Sequence, residues 1–317
     1  MVKKILDKRG MTEQDWQDYR RTQKGLGGSD CAIILGLSKW KSPFTLWLEK
    51  TEQIEPPEVN NEYIEWGNLL EPVIRDKFKK ATGLKVFQNN FVLQHDEFDF
   101  MIANIDGEVI ENGERGLLEV KTTSERNKGE WEEGPPNHYH LQIQHYLAVL
   151  GYSFAYVACL IGGNHFVYFR IERDDYVIDK IISAEKDFWH MVQHKIPPEI
   201  TGQTSDSTYL AESYPEAINE EMYLRADLEA YIQRYTELQR EIKALQEEAD
   251  YIKNRIKLEA KEYKILKGES FKITMPTVKK VSFDSKAFSA DYPDLFEKYK
   301  TKESSYRSFI VSEIRRE

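Results

Sequence analysis

Two carboxylates and a lysine stand where ordinary surface charge would not. Asp106 closes the apolar run FMIANID, and Glu119 and Lys121 lie inside GLLEVKTT, a stretch whose other residues favour burial. Residues i and i+2 of a strand share a face, so Glu119 and Lys121 project together. Val120 points the other way, with its carbonyl still able to reach the edge of the same site. Two carboxylates and a backbone oxygen make a hard, oxygen-rich donor set suited to Mg²⁺ or Mn²⁺. A lysine beside such an ion can position or deprotonate water and offset charge on a pentavalent phosphate. Taken alone, Glu119 and Lys121 also fit a plain cross-strand ion pair. The connecting GEVIENGERG, rich in Gly, Asn and Glu, favours the metal site: it lets the flanking strands return as a hairpin and sets Asp106 beside Glu119.

The elements that must position these residues can be read from periodicity. Trp66–Thr82 has apolar residues at 66, 69, 70, 73, 74 and 78, an amphipathic helix. Val86–Leu93, Phe98–Ile105 and Gly116–Thr122 read as three strands. Asn137–Leu150 reads as a helix and Val177–Gln193 as a closing one. Between them, Ser153–Ile161 and His165–Glu172 form a strand pair joined by Gly162-Gly163-Asn164. A helix opens the chain in this reading. The fold class is α/β, a mixed sheet flanked by helices.

The composition changes near 196–219, where Pro, Ser, Thr and Asp suggest a linker. The expected division is 1–195, then the linker, then 220–317. Beyond the linker, Leu224, Leu228, Tyr231, Tyr235, Leu238, Ile242, Leu245, Ala249, Ile252 and Ile256 alternate spacings of four and three, a heptad seam on one long helix. At 1.5 Å per residue this coiled-coil pattern runs roughly 50 Å. It can serve self-association or dock a partner, or it can fold back on its own chain. Residues 263–283 predict a β-hairpin around Lys267-Gly268-Glu269. The tail suggests a short helix, a turn and a final strand.

With 44 Lys and Arg against 54 Asp and Glu, the net charge is -10, which argues against an outer surface that coats DNA nonspecifically. Carboxylates that hold metal in a local site are compatible with that balance. Residues 1–50 run against the trend, with ten basic and six acidic side chains. No window approaches 18 consecutive apolar residues, and MVKKILDKRG lacks the apolar stretch of a signal peptide. Cys31 and Cys159 lie in apolar surroundings and read as free thiols in a reducing cytoplasm, too few for a four-thiolate metal site. His138, His140 and His145 are close in sequence but do not share one helical face, and no cysteine completes a zinc set.

The order Asp106-Gly107 followed by Glu119-Val120-Lys121 resembles the core of the PD-(D/E)XK nucleases. The surrounding motifs resemble more narrowly the phage YqaJ-type and lambda-exonuclease-type recombination nucleases: GLGGSDCAIILGLSKWKSP at 25–43, WGNLLEPVI at 66–74, NIDGEV at 104–109, LLEVKTT at 117–123 and YHLQIQHYLAVLG at 139–151. The five occur in the family's order. The resemblance implies a restriction-endonuclease-like fold over residues 1–195. It implies that Asp106 bridges metals, that Glu119 binds metal with the Val120 carbonyl, and that Lys121 activates the attacking water. Glu71 matches the family's helix carboxylate, a metal ligand or near-ligand, and Leu69, Leu70 and Val73 place it near a buried face. Gln142 and Tyr146, spaced i, i+4, match a Q-x-x-x-Y pair that orients the phosphate or strand; core packing would explain Tyr146 nearly as well.

The glycine-rich segment before Ser29 suggests a tight turn into a helix, where backbone amides and the Ser29 hydroxyl form an anion site. Ser29 serves equally as a helix N-cap. No G-K-[ST] follows, so a nucleotide P-loop does not fit. The resemblance implies that Ser29 and Arg20 bind the DNA 5′-phosphate, with Arg21 or Lys24 as substitutes for Arg20. Lys39 and Lys41 beside Trp40 can meet backbone phosphates or stack on a frayed base, or form a solvated turn.

What the resemblance implies in function is a Mg²⁺-dependent deoxyribonuclease, with Mn²⁺ able to substitute. It would digest linear double-stranded DNA from the 5′ end in a bacterial host cytoplasm. The 3′ single strand left behind would pass to a single-strand annealing protein. A ring-shaped homo-oligomer would line its channel with the basic residues. An endonuclease with the same core, or a non-catalytic DNA-end scaffold, are the alternatives.

Overall fold

The computed structural model describes residues 2–22, 25–56, 62–300 and 306–312. It divides into two units, residues 1–210 and 211–317.

In chain order the first unit holds β1 (Lys3–Asp7), α1 (Glu13–Thr22), α2 (Gly28–Ile34), α3 (Pro43–Lys50) and α4 (Glu62–Thr82). Then come β2 (Lys85–Phe87), β3 (Phe91–Gln94), β4 (Ile102–Ala103), β5 (Gly107–Glu111) and β6 (Glu114–Thr123). A 3₁₀ turn at Glu125–Trp131 leads to α5 (Asn137–Leu150), β7 (Phe154–Ile161), β8 (His165–Glu172), α6 (Asp175–His194) and α7 (Thr204–Ser213). The central sheet has the order β2-β5-β6-β7-β8, and a small sheet has the order β1-β3-β4. Within the central sheet β6 and β7 are parallel, and the other neighbours are antiparallel. This is the mixed, helix-flanked α/β sheet expected.

The sheet has two buried faces. One packs Leu118, Val120, Phe154 and Tyr156 against Ile74 and Phe78 of α4. The other packs Leu117, Ala155 and Val157 against Ile143 and Leu147 of α5 and Ile178 and Phe188 of α6. Alternate residues of β6 thus enter different cores, which follows from the two-residue period of a strand.

Several local expectations need correction. The chain opens with a strand: β1 pairs antiparallel with β3, and its largely exposed residues carry almost no apolar alternation to read. Val86–Leu93 is two strands in two sheets, parted at 88–90. Of Phe98–Ile105 only Ile102 and Ala103 are strand. The hairpin that brings Asp106 to Glu119 is formed by residues assigned to its turn: β5 follows Asp106 and pairs with β6, from Glu111↔Glu114 to Gly107↔Leu118. The turn itself is only Asn112-Gly113, both at positive φ (52° and 88°), the two-residue form that matches strand twist. On α4, Leu69 and Val73 are exposed, and the buried stripe is Ile74 and Phe78.

The segment 196–219 is not a free tether throughout. Asp206 on α7 is buried and accepts from Ser42 Oγ, from Thr45 Oγ1 at 2.8 Å, and from Thr201 N and Oγ1 at 2.7 Å each. Those bonds fasten residues 201–206 to the start of α3, where Ser42 is the N-cap.

The second unit contains α8 (Ala226–Ala260), a hairpin of β9 (Ile265–Lys267) and β10 (Lys272–Thr274), and two short helices, α9 (Ser285–Asp291) and α10 (Pro293–Tyr299). The heptad seam lies on α8 from Leu228 onward, Leu224 preceding the helix, with Tyr231, Ile242 and Leu245 exposed. Toward its C-terminal end, Ala249, Ile252 and Ile256 line a groove with Ile273 and Met275 of the hairpin segment. The Tyr235 ring meets Phe309 edge-on at 5.3 Å. The expected final strand does not form among the described residues 306–312.

Candidate active site

Because Leu118 and Val120 face α4, Glu119 and Lys121 face α5. There Lys121 Nζ donates to Glu119 Oε1 at 2.7 Å, and Gln142 Nε2 donates to the same oxygen at 2.9 Å. Gln142 Nε2 also reaches the Tyr146 hydroxyl at 3.1 Å. The Lys121 ammonium sits 4.8 Å from the Tyr139 ring centroid, within cation–π range. The i, i+4 pair of α5 and the i, i+2 pair of β6 therefore meet as one cluster.

Asp106 enters from the neighbouring strand. The β5–β6 ladder ends at Gly107↔Leu118, which leaves Val120 past its end on that side. Asp106 Oδ2 takes over and accepts the Val120 N–H at 2.7 Å. The N–H and C=O of one strand residue project to the same side, so the Val120 carbonyl faces the same opening. From α4, Arg75 Nη1 donates to Glu71 Oε1 at 3.0 Å and to the Asp106 carbonyl at 2.9 Å. Glu71 is thereby held beside Asp106, half-buried rather than on the buried stripe, with one oxygen engaged by Arg75.

Burial works against all three carboxylates of this cluster. Burial pushes the Glu119 carboxyl up, assisted by Asp106 and opposed by Lys121, to about 8. Burial likewise raises Asp106 and Glu71. Burial alone would lower Lys121, but Glu119 and Asp106 outweigh it and hold the ammonium charged. Lys121, Lys8 and Arg75 all act to lower Asp106 but do not overcome its burial, so the buried carboxylates favour a proton that a cation could displace. Glu119 Oε2 is buried and has no hydrogen-bond partner. An orphaned carboxylate oxygen next to Asp106 and the Val120 carbonyl suits a hard divalent cation. Among the described residues, no three His, Cys, Asp or Glu side chains form a ready-made ligand group. The donors present are thus two carboxylates and a carbonyl, with Glu71 alongside.

Ser29 lies on the first turn of α2, exposed. It is not the cap: Gly27 holds that position, and its N–H donates to Asp30 Oδ2 at 3.0 Å. Gly28 packs so tightly on α5 that a Cβ there would lie 2.7 Å from Tyr146 Cε1 and 2.9 Å from Gln142 Cγ. That contact brings Ser29 to the edge of the cluster. Arg20 is on α1, but the side chains of Arg20 and Arg21, and all of Lys24, lie outside the described residues.

Two site neighbours, Arg75 and Lys8, were missed in the sequence. Arg75 stands one helical turn after Glu71, a spacing that could have flagged it. Lys8, just beyond β1, donates to Asn104 Oδ1 and lies near Asp106 and Glu71; burial outweighs both acids and lowers its pKa. No local pattern marks it. His145 is fully buried between Glu185 Oε1 (2.8 Å) and the Ile102 carbonyl (3.0 Å), which ties α5 to α6 and β4. It forms a buried pair with Glu185.

The YqaJ-like viral recombinase domain matches residues 15–153. The YqaJ protein of Bacillus subtilis (strain 168) is 40% identical over 309 residues, 96% of this chain and 95% of that protein. Among solved structures, the alkaline exonuclease LHK-Exo of Laribacter hongkongensis is 20% identical with a TM-score of 0.47, covering 64% of this chain and 98% of its own. A phage-related exonuclease from Haemophilus somnus 129PT is 15% identical with a TM-score of 0.38, covering 54% and 96%. Identity to YqaJ across nearly the whole of both sequences places the motifs in one shared framework: this chain belongs to the YqaJ-like viral recombinase family.

Proposed function

We propose that this chain is a divalent-metal-dependent exonuclease that degrades one strand of linear double-stranded DNA from its 5′ end. The carrying observation is Glu119: one oxygen pinned by Lys121 and Gln142, the other buried without a partner, beside Asp106. Asp106, Glu119 and the Val120 carbonyl would hold Mg²⁺, or Mn²⁺ in its place, with Glu71 as a further or near ligand. Such an ion supplies Lewis acidity to the phosphodiester and lowers the pKa of water.

The chain's own groups do the rest. Lys121, fixed by Glu119 and the Tyr139 face, orients water for in-line attack and offsets phosphate charge. Gln142 holds Glu119 in register and, with Tyr146, sets the wall against which the scissile strand lies. Ser29 and Arg20 would receive the terminal 5′-phosphate; the contact of Gly28 with Tyr146 links that end to the chemistry. The family domain and the order of the five motifs support this reading. A 3′ single strand would remain for an annealing protein, and a ring of copies would keep the enzyme on its substrate.

The test is a linear duplex carrying a 5′-phosphate at one end and a 5′-hydroxyl at the other, incubated with Mg²⁺. Preferential loss from the phosphorylated end, with mononucleotide release, is expected. Equal loss from both ends would remove the Ser29/Arg20 pocket, and loss from 3′ ends would reverse the polarity.

A further inference from the structure

The loop between α2 and α3 carries Leu37, Ser38, Lys39, Trp40 and Lys41. Trp40 is 89% exposed, the most exposed large apolar side chain described in the first unit. A loop that leaves an indole in water is usually loose, yet this one is braced at each end. Ser38 Oγ accepts the N–H of Trp40 at 3.2 Å and of Lys41 at 3.3 Å. The Ser38 carbonyl accepts Gln203 Nε2 at 3.3 Å. Lys41 is committed to Glu49 at 2.6 Å, and Ser42 is fastened to Asp206. The braces fix the backbone and leave Trp40 facing outward.

The position of the loop is informative. Its preceding helix, α2, starts against Gln142 and Tyr146. Lys39 lies close enough to His138, the second residue of α5, to act on its imidazole together with Lys121, although burial is the larger effect. The loop therefore lies on the side of the Lys121 cluster where α5 begins. Among the described residues Lys39 has no ion pair or hydrogen bond, so its ammonium is available where that of Lys41 is not.

From these observations we propose that Trp40 is a stacking platform for the terminal nucleobase of a DNA duplex end, with Lys39 pairing to the adjacent phosphate. A nucleobase presents a flat π-face to an exposed indole whatever its sequence, and a neighbouring cation fits the backbone charge. A DNA end supplies the flat π-face and the counter-charge for Lys39 together. This inference rests on the exonuclease reading and deepens it: the loop would register the duplex end before hydrolysis.

The experiment measures equilibrium binding of the full chain in EDTA to two blunt duplexes. One carries 2-aminopurine at the terminal position and the other carries it internally. The wild type is expected to quench the terminal probe and leave the internal one unchanged. Trp40→Ala should bind the open end about tenfold more weakly and lose the quench, and Trp40→Phe should keep both. Because the side chain is exposed, Trp40→Ala should retain wild-type circular dichroism. Wild-type affinity with Trp40→Ala overturns the platform while leaving the nuclease reading intact. If that variant also sediments at lower mass, the loop belongs to a contact between copies. No binding of either duplex by the wild type overturns both readings.

Discussion

The Asp106 carboxylate accepts the backbone N–H of Val120 at 2.7 Å, one step beyond the last β5–β6 pair, Gly107↔Leu118. A side chain thus continues the hydrogen bonding where the ladder stops. The Val120 donor is thereby paired, and the neighbouring Glu119 keeps one buried oxygen without a partner. The hairpin that builds the sheet also sets the spacing of the two acids.

The first prediction concerns protons. With its pKa raised to about 8, Glu119 binds a proton in the folded chain that it would release when unfolded. The stabilisation this represents is complete below the ordinary glutamate range and is lost as pH rises toward 8. Metal-free protein should therefore lose thermal stability across that window. Glu119→Gln, which cannot ionise, should flatten the profile. Thermal melts in EDTA at a series of pH values decide the point; a wild-type profile as flat as that of the variant contradicts it.

Metal should compete with that proton. Mn²⁺ affinity is expected to rise between about pH 6 and pH 8, with a proton released per ion bound. Calorimetric titration in buffers of different ionisation enthalpy measures the release. Binding that neither depends on pH nor survives differently in Asp106→Ala would place the ion elsewhere.

Gly28 tests the link between α2 and the cluster. A methyl group there meets the buried Tyr146 ring at 2.7 Å, and overpacking of this kind costs about 1–3 kcal/mol. Gly28→Ala should lower the melting temperature modestly. The larger effect should be a fall in DNA hydrolysis, because Gln142 is pushed off Glu119. Full activity in a stably folded Gly28→Ala would show that the Gln142–Glu119 bond is dispensable.

Asp206 tests the attachment of the segment after α6. Burial alone would raise its pKa, but hydrogen bonds from Ser42 and Thr201 hold the carboxyl below the usual range. Its contribution to stability is present at neutral pH and lost as pH falls through that lowered value. Asp206→Ala strands several donors and should cost about 2–4 kcal/mol, read as a drop in denaturant midpoint. Loss of less than about 0.5 kcal/mol would mean that the segment is as free as its composition suggests.

Much of the site was legible because its signals are local. Glu119 and Lys121 are one strand period apart, and Gln142 and Tyr146 one helical turn apart, so each pair could be assigned to a face without tertiary information. Their meeting could not be, since it depends on the parallel β6–β7 pairing across α5. The expected hairpin lies one strand early: GEVIE has the glycine and acids of a turn, and the pairing that makes it β5 is with ERGLL across Asn112-Gly113. In the sequence, Leu69, Leu70 and Val73 place Glu71 near a buried face; of these Leu70 packs on the core, and Leu69 and Val73 face outward. Its actual support is the Arg75 fork to the Asp106 carbonyl. Lys8 and Asp206 act over separations of about a hundred residues or more, where no periodicity reaches.

Hydrolysis of DNA from its ends by the Asp106, Glu119 and Lys121 cluster requires all three side chains, a free end and a divalent cation. The most direct measurement incubates a linear duplex and a covalently closed circle of the same sequence with the wild type, Glu119→Ala and Lys121→Ala. Each is assayed in Mg²⁺ and in EDTA. The account predicts loss of the linear DNA by the wild type in Mg²⁺ alone, an intact circle, and rates in both variants reduced by at least about 10²-fold. Cleavage of the circle would contradict end dependence, and undiminished hydrolysis by Glu119→Ala would remove the cluster from the chemistry.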